Sequence, residues 1–504
     1  MISSPLLADH SKNVARLLKD QSELSWIRRG ERQALRLFHA MAKRVPAYID
    51  FLRKHKIKPE RVTSLQVFRE LPTLDKNNYL CQYPLSALCW DGKFVQGQYT
   101  ISTTSGSTGE PFYFPRTDEQ IQQYALVAEL YLRENFHIHR RSTLYIDAFP
   151  MGPWIGGVFT YETIRLVAER GKFPLSIITT GINKQDIIRA VIKFGKEFDQ
   201  ILIGCYGPFL KDALDEGTEQ GIVWSKYNLG FIFSAEGFTE EFRDYVVRST
   251  RLANPYTTTL NHYGTVDLGT MAHETPVTIL LRRLTVRSPK LLSVLFGDTV
   301  KLPTLCQYIP ELFYFEEVNR GLVCSANSGL PLVRYDLKDQ GGVATLQETI
   351  TRLKEQGVTL KKELSIAEIT STVWNLPLVY VFERSDFSVS LYAFQIYPET
   401  IRRALAKHSF EKTVTGKFTL QVKFNRAQNQ YLEVNVELRR GIKPSTTLIL
   451  RLQKSMMVWL RSENAEYAKT YSEIPERVTP QIVLWPYEDT RHFRPGIKQK
   501  WVKK

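Results

Sequence analysis

Apolar residues recur at helical spacing from about Leu24 to His55, where Leu35, Leu37, Phe38, Met41 and Ala42 build a mostly apolar face. Pro46 interrupts that run, which predicts two helices rather than one. Between Phe68 and Tyr79, Thr73 or Asp75 is placed to cap a further short helix. The pattern then alternates. A helical stretch from Asp118 to Asn135, capped by Thr117 or Asp118, precedes an apolar strand from Ser142 to Phe149. Helix (Gly157 to Arg170), strand (Leu175 to Thr180), helix (Lys184 to Phe198) and strand (Gln200 to Cys205) follow. Helix (Pro208 to Glu219), strand (Leu229 to Ser234) and helix (Glu240 to Ser249) continue the order. Strands alternating with helices of ~10–15 residues predict an α/β domain layered around a largely parallel sheet. Ligands of such sheets sit beyond the carboxyl ends of the strands. Gly204-Cys205-Tyr206-Gly207-Pro208 and Ser234-Ala235-Glu236-Gly237 fall at two such ends.

From Val277 to Val343 the helical period fades, and β-rich runs such as Leu312 to Val318 and Gly321 to Ser325 predict a small antiparallel subdomain. A polar helical insertion spans Thr345 to Glu363. Beyond Phe387 the order is strand, helix (Glu399 to His408), strand (Phe418 to Phe424) and strand (Tyr431 to Leu438). A helix (Thr446 to Ser462) and a strand (Gln481 to Trp485) complete a compact α+β unit. At roughly 120 residues it is the size of a domain.

Composition narrows the function. Hydrophobic residues at 43% and charged residues at 24% of 504 positions are ordinary for a globular chain with more than one domain. The net charge of +15 is dispersed apart from a basic C-terminus, which favours an enzyme with anionic ligands over a nucleic-acid binder. Five cysteines without a Cys-x-x-Cys pair suit neither a disulfide framework nor a zinc site. No apolar run approaches the ~20 residues of a membrane span, so a cytoplasmic protein without a membrane partner is expected. His137 and His139 lack nearby acids and read as a solvated turn.

Chemistry concentrates between Thr103 and Arg116. Ser105, Ser107 and Thr108 offer hydroxyl donors, while Gly106 and Gly109 let the backbone approach a ligand. Exposed N–H groups in such a turn form an anion-binding concavity suited to a polyphosphate. Strand-like residues on both sides argue against a flexible linker. No Gly-Lys-[Ser/Thr] follows, so the loop is not of the Walker type.

Further stretches fall into register with it: Ser234 to Gly237, Tyr263-Gly264-Thr265-Val266-Asp267, Pro331 to Asp339, Glu383 to Asp386, and the tail from Arg494 to Lys504. Over about Leu71 to Lys500, their order and spacing resemble the adenylate-forming acyl-CoA synthetase superfamily. The likeness is greatest to its phenylacetate-CoA ligase-like branch, which includes coronafacate-ligase-like amide synthetases.

The resemblance implies a large α/β N-terminal domain with parallel sheets and a β-subdomain over 1–383, a hinge at 384–386, and a small mobile α+β lid over 387–504. It implies ATP and Mg2+ as cofactors. Ser105, Gly106, Ser107, Thr108 and Gly109 would contact phosphates; Ala235, Glu236, Tyr263 and Gly264 would line the adenine site; Asp339 would accept the ribose hydroxyls. Arg384 joins the nucleotide contacts, Asp267 would hold Mg2+, Asp386 would be the pivot, and Lys498, with Lys500 as runner-up, would be the adenylation lysine.

Four positions depart from the pattern: Glu110 stands where lysine is common, Val266 replaces a hydroxyl residue, Asp267 replaces glutamate, and Ala393 replaces a glycine beside the acceptor route. The implied reaction joins a small carboxylic acid to AMP, releases pyrophosphate, and passes the acyl group to an amino acid amine or, alternatively, to CoA. Ala393 and the divergent Val266-Asp267 tilt the expectation to the amine. The acid pocket is expected among Tyr206, Phe233 and His262, with Trp154 nearby.

Overall fold

A computed structural model describes residues 3–9, 11–104, 111–297, 299, 301–384, 388–489 and 491–493. In chain order the strands are β1 (Thr100–Thr103), β2 (Tyr113–Arg116), β3 (Thr143–Asp147), β4 (Leu175–Thr179), β5 (Gln200–Cys205) and β6 (Leu229–Phe233). Next come β7 (Thr259–Thr265), β8 (Gly269–His273), β9 (Thr304–Gln307), β10 (Tyr314–Val318), β11 (Gly321–Ser328) and β12 (Leu330–Ala344). The last are β13 (Leu378–Arg384), β14 (Val389–Leu391), β15 (Phe394–Ile396), β16 (Val414–Phe424), β17 (Gln430–Leu438) and β18 (Gln481–Trp485).

One sheet runs in the order β10-β11-β12-β13-β9-β8-β7-β6-β5-β3-β4. From β4 to β7 neighbouring strands are parallel, and from β7 to β10 they are antiparallel. The parallel layer and the β-subdomain read from the sequence are therefore two halves of one sheet, joined at β7. Every residue of β5 and β6 is buried, as expected for strands covered on both faces. Side chains alternate between those faces. Tyr145, Leu202, Ile232 and Leu260 meet the helices Asp118–Glu134 and Gly157–Gly171. Ile146, Ile203, Cys205 and Phe233 meet the helices Lys184–Phe194, Gly207–Glu219 and Glu240–Thr250.

Two local expectations are corrected. Helices Pro276–Arg287 and Pro289–Phe296 occupy a stretch where no helical period is visible. In the first of them Val277, Ile279, Leu280, Leu281, Arg282 and Leu284 are all buried, so no polar face marks the turn of the helix. Conversely, no helix starts at Thr73 or Asp75. Asp75 and Asn78 instead exchange backbone-to-side-chain hydrogen bonds of 2.7 Å in a turn.

The chain after Ser388 builds its own sheets, a β14–β15 hairpin and the three strands β16-β17-β18. Helices Ala465–Glu473 and Pro475–Val478 add to the expected pattern. Leu391, Tyr392, Phe394 and Ile396 share one apolar cluster with Phe209, Leu210 and Ala213 of the main body. Polar ties reinforce this seam. The Tyr392 hydroxyl donates to Asp212 at 2.8 Å, Arg477 lies 2.9 Å from the same carboxylate, and Lys184 lies 3.8 Å from Glu476.

Candidate active site

Strand β1 pairs with β2, and Thr104 closes their hairpin through bonds to Phe112 of 3.0 and 3.1 Å. The phosphate loop expected from the sequence, Ser105 to Gly109, lies outside the described residues. Strand β2 then carries Arg116 inward. Its side chain is only 1% exposed and donates to the Val266 carbonyl, while Nε and Nη1 have no hydrogen-bond partner among the described residues. Burial pulls the guanidinium down to about 9, against the opposing charge of Asp267. A buried cation with two open donors is an anion receptor in waiting.

The β7–β8 turn places three expected residues together. The Tyr263 hydroxyl donates to Asp339 at 2.7 Å, and its ring stacks on Phe315 with centroids 6.1 Å apart. Tyr335, on the same strand β12 as Asp339, donates to the half-buried Asp267 at 2.9 Å. Arg384 is the backbone partner of Asp339 across β12 and β13. Lys338 holds Asp336 at 2.7 Å and Asp75 at 2.8 Å, so Asp336 is engaged elsewhere. Arg334 is structural: it bonds Glu316 at 3.3 Å and the Leu71 carbonyl. Gly264 also has a packing reason, because a Cβ there would lie 2.5 Å from the Gly269 carbonyl oxygen where β7 bulges against β8.

Ala235 sits in the left-handed region (φ 71°) of the turn after β6. Asn261 pins this turn by donating to the Glu236 carbonyl at 2.8 Å. The Glu236 side chain faces the C-terminal part, accepting from Ser390 at 2.9 Å, the Ala393 amide and Gln430 at 3.3 Å. Burial raises its pKa, and these bonds oppose the rise.

The acid pocket expected from the sequence is redrawn. Phe233 points to the far face of the sheet, in edge contact with Phe238 and Phe242, and does not share a face with His262. Period-two alternation explains this: Phe233 pairs in register with Asn261, one residue before His262. His262 is buried between Tyr124, at 5.9 Å, and Tyr131, at 5.0 Å. Burial, aided by His273, holds it near 3, so it is a neutral core imidazole and not a titrating base. Tyr206 caps the carboxyl end of β5 against Phe149, with ring centroids 5.5 Å apart.

What the sequence reading missed lies on the His262 face. Asp147 ends β3 with 0% exposure and points to the same side as Tyr145. Phe159 stacks on Tyr124 with centroids 5.3 Å apart and lies 5.9 Å from the Arg116 guanidinium.

Asp386, Lys498 and Lys500 lie outside the described residues. Among the described residues no three His, Cys, Asp or Glu side chains gather around one point, so there is no all-protein metal cage. A single carboxylate such as Asp267 nevertheless fits Mg2+, which usually takes one or two carboxylates together with substrate phosphates.

No protein-family model matches the chain, and no curated protein sequence matches it. Solved structures do. The chain is similar to 2-hydroxyisobutyryl-CoA ligase in complex with 2-HIB-AMP and CoA in the thioesterification state, with TM-score 0.61 and 12% identity over 95% of this chain and 89% of that one. An open conformation of the same ligase gives TM-score 0.53 at 12% identity, over 94% and 91%. Its postadenylation state with R3-HIB-AMP gives 0.50 at 12%, over 94% and 88%. The fold is that of the adenylate-forming ligases. Among the described residues no helix is long and apolar enough to cross a membrane.

Proposed function

We propose that this chain is an ATP-dependent carboxylic acid ligase that forms an acyl-adenylate and passes the acyl group to a nucleophile. The observation that carries the reading is the 2.7 Å bond between Tyr263 and Asp339, which unites two motifs 76 residues apart inside an adenylate-forming fold. Asp339 is suited to accept both hydroxyls of a ribose, since a carboxylate takes two donors from a cis-diol. Tyr263 offers its ring to the base. Asp267 would hold Mg2+, which when bound would offset phosphate charge.

Attack of a carboxylate on the α-phosphorus brings two anions together, so positioning and fixed positive charge carry most of the catalysis. Arg116 is placed to draw the substrate carboxylate toward the turn that holds Asp267. The loop Ser105 to Gly109 would cradle the phosphates, and Lys498 would bridge the reacting partners. The unit from 387 to 504 would pivot at Asp386 between the two half-reactions.

For the acceptor, Ala393 favours an amine: it sits at φ 71° with its amide donating to Glu236, and where the resembling thioester-forming enzymes carry glycine its methyl group would narrow an acceptor route. The CoA reading rests on the likeness to a CoA ligase in its thioesterification state, the highest TM-score of the three conformations compared. Mass spectrometry after offering ATP, a carboxylic acid library, CoA and mixed amino acids separates them. An amide product supports the first reading and a thioester the second. Absence of acyl-AMP, amide and thioester across the library sinks both.

A further inference from the structure

Between Glu437 and Glu463 the chain carries six Lys or Arg and no Asp or Glu. Arg439, Arg440 and Lys443 follow β17, and Arg451, Lys454 and Arg461 lie on the helix Thr446–Glu463. All six are exposed. The contacts that hold them are with carbonyls and rings. Arg439 donates to the Glu411 carbonyl, and Arg451 donates to the Ser409 carbonyl at 3.2 Å and lies 5.4 Å from the Phe410 ring. The Arg461 guanidinium lies 4.9 Å from the Tyr471 ring. Among the described residues none of the six is in an ion pair, and Glu463, the next acid, is taken up by Arg403.

The helix is amphipathic. Leu448, Leu452, Ser455, Met456 and Leu460 are buried within its own unit, chiefly against the helices Pro398–Leu405 and Ala465–Glu473 and strand β18. The other face, at intervals of three and four residues, presents Leu450, Arg451, Lys454, Val458 and Arg461 to solvent. Leu450 is 58% exposed and Val458 53%, and they stand about 12 Å apart along the axis. Single exposed apolar residues are common; two on one stripe, framed by three cations without ion pairs, mark an interaction surface. We infer that this face docks on an anionic membrane surface, its cations among the headgroups and its two apolar side chains at the boundary with the acyl chains. Leu450 and Val458 favour a bilayer over nucleic acid, whose phosphates offer them no apolar contact. They favour it also over an acidic protein, which would need pockets fitted to both. A helix lying on the surface needs no apolar run of ~20 residues, so the absence of a membrane-crossing helix among the described residues does not bear on it. This surface stands whether or not the chain is a ligase.

The test is flotation of the full chain with vesicles of phosphatidylcholine containing about one third phosphatidylserine, beside vesicles of phosphatidylcholine alone. Wild type should float with the first and not with the second, and binding should weaken as added salt shortens the screening length. Arg451→Gln, Lys454→Gln and Arg461→Gln together should lower the partition coefficient about 100-fold, since each cation near such a surface contributes roughly fivefold. Leu450→Gln with Val458→Gln should lower it about tenfold at unchanged charge. Both variants change exposed side chains only, so they should melt as wild type does. The net charge of +15 calls for a control: Arg165→Gln, Arg189→Gln and Lys226→Gln, at exposed positions of the main body, should bind within about twofold of wild type. An equal loss in that control, or full binding after the Leu450 and Val458 changes, would reduce the effect to adsorption by net charge and overturn the docking face. No binding to the anionic vesicles also overturns it, and capture by poly-glutamate without vesicle binding would assign the face to an acidic protein instead.

Discussion

At the scale of single residues, the site is held by short polar contacts with separable consequences. Asp339→Ala removes the acceptor at 2.7 Å from Tyr263 and should raise the KM for ATP about tenfold or more, through lost ribose contacts, while the fold persists. Steady-state kinetics with varied ATP check this, and an unchanged KM counts against the assignment. Arg116→Gln removes the buried cation that faces Val266 and Asp267, and kcat/KM for the acid should fall about 10²–10³-fold. A variant with full activity would remove Arg116 from the site. Motifs made of polar residues at fixed spacing, such as Tyr263 to Asp267 and Pro331 to Asp339, were legible in the sequence because each is local. Asp147 and Arg116 were not legible as buried polar side chains with open hydrogen-bonding atoms. That property depends on what they fail to contact among the described residues, and no spacing records an empty partner. The parity of β6 against β7 hid the direction of Phe233 in the same way.

At the scale of elements, the alternating strands and helices from Asp118 to Thr250 were legible because each helix has a wet face and each strand is an apolar run. The helix Pro276–Arg287 escaped because it is buried around its circumference, with even Arg282 taken up by Glu274 in an ion pair. The β14–β15 hairpin shows a local cost at an element's end. Tyr392 (φ 47°) and Ala393 (φ 71°) both adopt the left-handed region between the strands. A left-handed non-glycine residue costs about 1–2 kcal/mol, partly offset by the greater unfolded-chain entropy of glycine. Ala393→Gly should therefore stabilise the protein by about 0.5–1 kcal/mol, read from the denaturant midpoint. A loss of stability would mean that the methyl group packs usefully against its surroundings.

At the scale of the whole molecule, one sheet spans both halves of the main body, and the C-terminal part docks against it through buried acids. Asp212 is pushed up from 3.8 to about 6 by burial, against the pull of Arg477 and the charges of Lys184 and Lys211. Glu466 is pushed from 4.5 to about 7 by burial, and Glu236 is raised as well. All three hold protons more tightly in this arrangement than in solvent. The contribution of Asp212 and Glu466 to docking is therefore full below about pH 4 and is lost as pH rises through 6 to 7, and Glu236 acts in the same direction. If the C-terminal part pivots as proposed, energy transfer between labels on the two parts should report a more docked ensemble at pH 5 than at pH 8. Asp212→Asn should weaken that dependence, and an opposite trend would contradict the linkage. The central claim, chemistry at the α-phosphorus of ATP, is tested most directly by acid-dependent exchange of labelled pyrophosphate into ATP. The account predicts exchange that requires a carboxylic acid and is strongly reduced in Lys498→Ala. Cleavage of ATP to ADP and phosphate, or no exchange with any acid, would contradict it.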